Sequence, residues 1–283
     1  MTIDVWMQHP PTRRFLASDF LASLRRWTGG RIPPEGDLPI EVTVSAMDAA
    51  GVGVGLLSAW RGPPRCGPGV QRRSGRMGSP APVEVRRAGR GGSRPPPMDA
   101  VRELRRRVRD DGFVGLRVVP WLWGGAPPNR PSVLPLFAEC VELGGVPFCT
   151  QVGHTGPLRP SETGRPIPYI DEIALDFPPK LTIVCGHVGY PWTEEMVAVS
   201  RKHENVYIDT SAYTSRRLPK ELVSFMKTGT GARKVLFGTN YPMIGHTHAL
   251  DGLDELGLSE STHSAYLHDN ATRVFAKLGA VAA

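Results

Sequence analysis

"LTIVCGHVGYPWTEEMVAVSRKHENVYIDTSA", residues 181–212, decides how the chain is read. "LTIVCGH" (181–187) is a short apolar run of the kind that forms a strand buried on both faces. Thr193 to Lys202 then places apolar residues at helical spacing, with acids first and bases last, as a helix dipole favours. "VYIDTSA" (206–212) is a second buried-type strand. Strand, helix and strand within about 30 residues make a parallel βαβ unit, and each strand ends on a polar residue, His187 and Asp209.

The same rhythm extends in both directions. Upstream lie strands Ile3–Val5, "VGVGLLSAW" (52–60), "FVGLRVV" (113–119) and "VPFCT" (146–150). Helices are predicted over Ser18–Trp27, Glu41–Ala50, Asp99–Arg109, Ser132–Leu143 and Tyr169–Asp176. Downstream follow helix Pro219–Lys227, strand "KVLFGTN" (234–240) and helices over His248–Leu256 and Glu260–Leu278. That is seven strands in the readable parts, with a 37-residue gap sized for one more unit. Eight units make a single α/β domain over 1–283, a (β/α)₈ TIM-like barrel. A doubly wound sheet is the alternative, but no glycine-rich phosphate loop follows the first strand.

The gap is residues 61–97, "RGPPRCGPGVQRRSGRMGSPAPVEVRRAGRGGSRPPP". It holds nine arginines against Glu84 as its one acid, a net +8 in a chain of +7, so the remainder stands at −1. A nucleic-acid reading would rest on this segment alone, and a nucleic-acid partner is not expected. Proline and glycine work against the second helix and third strand due here, and "APVEVRR" (81–87) is the only strand-like piece. Three readings stand: a basic insertion, a disordered loop, or wrong-frame translation of GC-rich DNA between compensating frame changes near Trp60 and Pro97. The segment is expected to be irregular.

Cys66, Cys140, Cys149 and Cys185 show no CxxC spacing, and the last three sit in apolar runs, as buried thiols in a reducing compartment do. No apolar run reaches membrane-spanning length, and Asp4 interrupts the first apolar residues, so a cytoplasmic protein is expected.

Barrel enzymes carry their chemistry at the C-terminal ends of strands. His154, His187, Asp209 and Asn240 fall at or just beyond four successive strands. Arg117 lies inside its strand, and a buried arginine requires an anion, from the protein or from a substrate. Arg159 and Arg165 are read as solvated. His246 and His248 resemble a metal pair but open a helix, so a surface location is expected. His203, His263 and His268 are assigned no catalytic part. Trp121, Trp123, Tyr190, Trp192 and Tyr213 read either as an aromatic pocket wall or as packing.

An ordered set of strings resembles the amidohydrolase-related family, in the branch of aminocarboxymuconate-semialdehyde decarboxylase. The strings are "SAMDAAGVGVGLLS" (45–58), "FCTQVGHTGP" (148–157), "IVCGHVGYPW" (183–192), "NVYIDTSAY" (205–213), "VLFGTNYPM" (235–243) and "LHDNATRVF" (267–275). The resemblance implies a (β/α)₈ barrel, a small-molecule substrate and a homodimer. It also implies zinc or another divalent metal, held by a pair ending the first strand, a histidine after the fifth and an aspartate after the eighth. A further histidine after the sixth strand acts in catalysis.

On that pattern His154 is the metal histidine and His187 the catalytic one. The first-strand pair falls on Trp6 and Gln8, and the aspartate on Asn240, which offers only amide atoms. His9 lies one residue past the pair and would serve only after a shift of register. One imidazole with amide oxygens holds zinc weakly, so no tightly bound metal is expected. Two accounts stay open. In one, a hydrolase or decarboxylase of a small carboxylated or cyclic substrate works without metal. His187 is its acid or base, Asn240 a hydrogen-bond donor, and Arg117 and Asp209 bind substrate. In the other, the barrel is inactive and serves binding or scaffolding.

Overall fold

The computed structural model describes residues 1–9, 38–60, 82–84, 97–119, 126–154 and 160–278, with short pieces at 22–23, 25–26 and 29. Among the described residues eight parallel strands run in chain order. These are β1 (Thr2–Met7), β2 in two pieces (Val52–Leu57 and Ala59–Trp60), β3 (Pro82–Glu84), β4 (Gly115–Val118), β5 (Phe148–Gln151), β6 (Ile183–Gly186), β7 (Val206–Asp209) and β8 (Val235–Leu236). β1 pairs with the first piece of β2; the second piece and β3 to β8 pair neighbour to neighbour.

The ring closes through β1. Val5 N–H donates to Phe237 O at 3.0 Å, Asn240 N–H to Trp6 O at 2.7 Å and Gln8 N–H to Tyr241 O at 2.8 Å. β2 breaks at Ser58, whose N–H turns to Met7 O. The barrel expectation holds.

Helices follow the strands: α1 (Ile40–Asp48), α2 (Pro97–Asp110), α3 (Leu134–Glu142), α4 (Tyr169–Asp176), α5 (Thr193–Lys202), α6 (Lys220–Met226), α7 (His246–Leu250), α8 (Glu260–Ser264) and α9 (Asn270–Val274). α4 and α5 have the bounds their sequence predicts. The long final helix is interrupted by a π-turn at Ala265–Asp269. Outward strand residues such as Leu116, Phe148, Ile183 and Ile208 pack with Phe137, Ile173 and Leu222 of the helices. A second cluster, with Val5, Leu56, Cys149, Val184 and Leu236, meets Phe275 and Leu278 of the chain's end. Each large apolar side chain fully buried this way contributes roughly 1.5–3 kcal/mol.

Residues 82–84 correct one expectation. Within "APVEVRR" they form the third strand, setting Val83 beside Leu116 and Glu84 beside Arg117 in register, so this part of 61–97 is regular. Proline at the first strand position forfeits no bond the ladder needs. Residues 61–81 and 85–96, with Cys66, lie outside the described residues, as do Trp121, Trp123, Arg159 and most of the helix expected over 18–27. Cys140, Cys149 and Cys185 are free and buried, as read from the sequence. Among the described residues no helix is long and apolar enough to cross a membrane.

Candidate active site

The strand ends carry local strain. His187 and Val188 follow β6 with φ of 72° and 53°, Ala212 follows β7 with 68° and Asn240 follows β8 with 59°. Side chains other than glycine rarely take this left-handed region, and a β-branched residue such as valine least of all. Such strain persists where surrounding bonds over-determine it, and it gathers at functional sites. Here the bonds cross between strand ends: Val188 N–H donates to Asp209 O, Ala212 N–H to Thr239 O and Asn240 N–H to Trp6 O.

His187 is half-buried. Its Nδ1 lies 2.6 Å from Ser211 Oγ, and its ring meets the Trp6 indole edge-on with centroids 5.2 Å apart. Burial, then the positive charge of Arg117, then His154, push its pKa down to about 3, so the imidazole is neutral at ordinary pH. Asp209, just behind it, is fully buried. Its Oδ1 accepts from Ser211 N–H at 2.8 Å, while Oδ2 has no hydrogen-bond partner among the described residues. Burial pushes this carboxyl up to about 6 against the lowering pull of Ser211 and Arg117.

Trp6 fills the centre. A Cβ placed on Gly186 would come within 2.8 Å of the indole and 2.9 Å of Asp209 Oδ2, and one on Gly238 within 3.2 Å of Trp6 Cβ. The indole therefore sits in room that a side chain at Gly186 would take, and a side chain at Gly238 would press on Trp6 Cβ and Asp209 Oδ1. The Arg117 guanidinium lies over the same ring, its Cζ 3.8 Å from the centroid, and Nη2 donates to Val5 O at 3.2 Å. A cation on an indole face in a desolvated setting gains about 2 kcal/mol.

The positions on which the family pattern sets metal ligands hold one another instead. Gln8 Nε2 donates to Asn240 Oδ1 at 2.9 Å, and Asn240 Nδ2 lies 3.3 Å from Met243 Sδ. The Asn240 acceptor is thus spent on Gln8, and Trp6 offers no lone pair. Among the described residues no three His, Cys, Asp or Glu side chains converge as a metal group. This donor set does not fit a divalent ion: one imidazole remains where an acid and two further ligands are required.

His9 is committed elsewhere, Nδ1 to Thr43 Oγ1 at 2.8 Å and Nε2 to Leu38 O at 2.9 Å. A carbonyl oxygen can only accept, so Nε2 carries a proton toward Leu38 O. It does not join the site.

Among the expected site residues, His154, His187 and Asn240 stand at the open end of the barrel, each half-buried. Arg117 and Asp209, expected to touch substrate, are 1% and 0% exposed and lie against Trp6 and its flanking glycines. The Arg117 charge lowers the His187 pKa, and Asp209 accepts from Ser211 N–H. The His154 ring meets the exposed Tyr190 edge-on at 6.2 Å, and Tyr190 lies 6.4 Å from Tyr213. These aromatics form a wall; Arg165 is taken up by Glu195 outside it.

His246 corrects the surface reading. It is 1% exposed, stacks on Tyr241 at 4.7 Å and sets Nε2 3.3 Å from Asp4 Oδ2, whereas His248 is exposed as expected. Asp4 also accepts from Thr239 N–H and Oγ1, which ties the post-β8 turn to β1. Ser211 is the site residue that sequence reading missed. Its one signal is the two-residue spacing from Asp209, which returns a strand to the same face.

The amidohydrolase family model matches residues 79–277. Comparison with curated protein sequences returns no match. Among solved structures, an uncharacterised TIM-barrel protein from Bordetella bronchiseptica is 22% identical, with TM-score 0.79 over 98% of this chain and 99% of its own. 2,6-Dihydroxybenzoate decarboxylase from Rhizobium is 18% identical, with TM-score 0.63 over 97% and 98%. 4-Oxalomesaconate hydratase from Rhodopseudomonas palustris is 18% identical, with TM-score 0.62 over 100% and 98%. At such identities the likeness speaks for the fold, and the family match, across most of the chain, speaks for the lineage. The chain belongs to the amidohydrolase family.

Proposed function

We propose that this barrel is a hydrolase or decarboxylase of a small carboxylated, cyclic substrate, and that it works without a divalent metal. The observation that carries the reading is His187: a neutral imidazole at a strained strand end, anchored through Nδ1 and facing the barrel mouth beside His154 and Asn240. A positioned imidazole of this kind moves protons to and from a bound ligand, a contribution of about 10²- to 10⁴-fold.

Around it each residue takes a part. Arg117, held against Trp6, supplies buried positive potential that favours an anionic ligand at the mouth. Asn240, oriented by Gln8, presents its amide N–H group. Tyr190 and Tyr213 offer ring faces to a cyclic ligand. The two named enzymes among the structural relatives carry carboxylated compounds in their names, dihydroxybenzoate and oxalomesaconate, which agrees with an acidic ligand. Zinc chemistry is not invoked, because Trp6, Gln8 and Asn240 do not supply its ligands.

The second reading is a barrel that binds such ligands without turning them over. The closure of the former ligand positions by the Gln8–Asn240 bond favours it. Screening aromatic and unsaturated carboxylates for turnover in the presence of a chelator separates the two. Under the enzymatic reading turnover appears and His187→Ala removes it. Binding without turnover across the screen supports the second. Turnover unaffected by His187→Ala sinks the proposed role.

A further inference from the structure

We propose that Tyr190 and Tyr213 are specificity-determining residues that select a planar, unsaturated ring carboxylate over a puckered, saturated one of the same ring size and charge. Both follow the strands that carry the titratable groups, Tyr190 after His187 and Tyr213 after Ser211. Their ring centroids are 6.4 Å apart with the planes tilted by 54°, and the His154 ring stands edge-on to Tyr190 at 6.2 Å. The two phenol rings form an open corner at the barrel mouth, not a closed stack.

This pair differs from the packing aromatics of the same chain. Tyr190 is 51% exposed, whereas Tyr241 and Tyr266 are buried. The hydroxyls of Tyr169 and Tyr266 are committed, to Glu162 and to Thr210. Those of Tyr190 and Tyr213 have no hydrogen-bond partner among the described residues. Tyr213 is half-buried against the core, which gives the corner a firm base.

The Tyr190 ring is open to water, but its backbone is fixed. Its carbonyl accepts from His154 N–H at 2.7 Å, and Trp192 N–H closes a turn on Gly189 O at 2.7 Å. Gly153, at φ 82°, lies so close that a Cβ there would come within 2.4 Å of Tyr190 O. A single exposed aromatic residue means little. One held on a fixed backbone at the barrel mouth, beside a second ring, is preorganised, so a ligand that stacks on it has less ordering cost to meet.

The corner favours flat rings for a physical reason. Aromatic rings attract in offset-stacked or edge-to-face arrangements with centroids roughly 4.5–7 Å apart, beyond what buried area alone supplies. A planar ligand ring can lie along one tyrosine face and turn its edge to the other. A saturated ring has no quadrupole to align, and its axial hydrogens hold it off the face. The inference deepens the proposed function and rests on the reading that the mouth takes a small cyclic carboxylate.

Binding of benzoate and of cyclohexanecarboxylate to the full-length protein tests it, by ligand-observed NMR titration at about pH 8, where both probes are ionised. The unaltered protein should bind benzoate more tightly by roughly 2- to 12-fold. Tyr190→Leu and Tyr213→Leu keep apolar bulk without a flat face, and each should bring that ratio toward one. Tyr190→Phe and Tyr213→Phe keep the face and should keep the ratio. An unchanged thermal unfolding midpoint in Tyr190→Leu, whose parent ring is half exposed, separates lost preference from lost fold. Equal affinities in the unaltered protein, binding of neither probe, or a ratio that survives both leucine substitutions overturns the assignment. The readout is binding, so the expected ratio in a protein that turns over no carboxylate would fail the enzymatic reading and leave this one standing.

Discussion

Two sides of the barrel mouth have gone different ways. On the side of β6 and β7, His187 meets Ser211, whose N–H donates to the buried Asp209, at strand ends held in positive φ. On the side of β1 and β8, the positions that would ligate a metal are spent on packing. Trp6 lies against Gly186 and Gly238, Arg117 covers its face, and Gln8 holds Asn240. One side carries titratable groups; the other is closed by packing and an amide–amide bond.

The comparison breaks at the largest scale if the polar side is idle. Replacing His187 by alanine should lower kcat by about 10²- to 10⁴-fold with the fold intact by circular dichroism. A loss below tenfold would place the chemistry elsewhere.

The next test weighs the cost of the polar side. Burial pushes the Asp209 carboxyl up to about 6, well above the usual carboxylate range. A carboxyl raised in this way contributes fully below the unfolded pKa, and that contribution is lost as pH rises through the folded one. Asp209→Asn should therefore gain stability over the unaltered protein between about pH 4 and pH 7, by on the order of 3 kcal/mol. His187 runs the other way: its pKa is lowered to about 3, so its contribution is present above about 6.5 and fades toward acid. It stands in both proteins and cancels in the difference. Urea unfolding at several pH values reads the gain, and a difference flat with pH would contradict it.

The smallest effect belongs to the quiet side. Gln8→Ala removes one half-buried amide bond and should cost about 1 kcal/mol, with Asn240 left to water. A cost of several kcal/mol would mean that Gln8 does more than hold its neighbour.

Much of the fold was legible in the sequence because the βαβ period is strong from residue 97 onward. α4 and α5 fall where the helical spacing places them. Strand lengths were overread: the strand predicted over 234–240 forms ladder only at Val235–Leu236, because the chain then turns to meet β1. β3 hid among prolines, since its place comes from its neighbours β2 and β4 rather than from its own propensity.

The site was half legible. His154, His187 and Asn240 announced themselves as polar residues at strand ends. The contacts between distant strands did not, because nothing local encodes them: Arg117 on Trp6, His246 beside Asp4, Gln8 on Asn240. Burial also changed meaning with context. Arg117 and Asp209, read from the sequence as ligand-facing, are buried, and of the two it is Arg117 whose charge lowers the His187 pKa.

The central claim is that the barrel centre is held by an indole and a guanidinium where the family pattern implies a metal. Its most direct test is metal content by elemental analysis after expression with zinc, chelation and dialysis against micromolar zinc. The account predicts far less than one equivalent in the unaltered protein, activity indifferent to chelation, and about one equivalent once Trp6→His, Gln8→His and Asn240→Asp are combined. One tightly held equivalent in the unaltered protein, with activity lost on its removal, would contradict it.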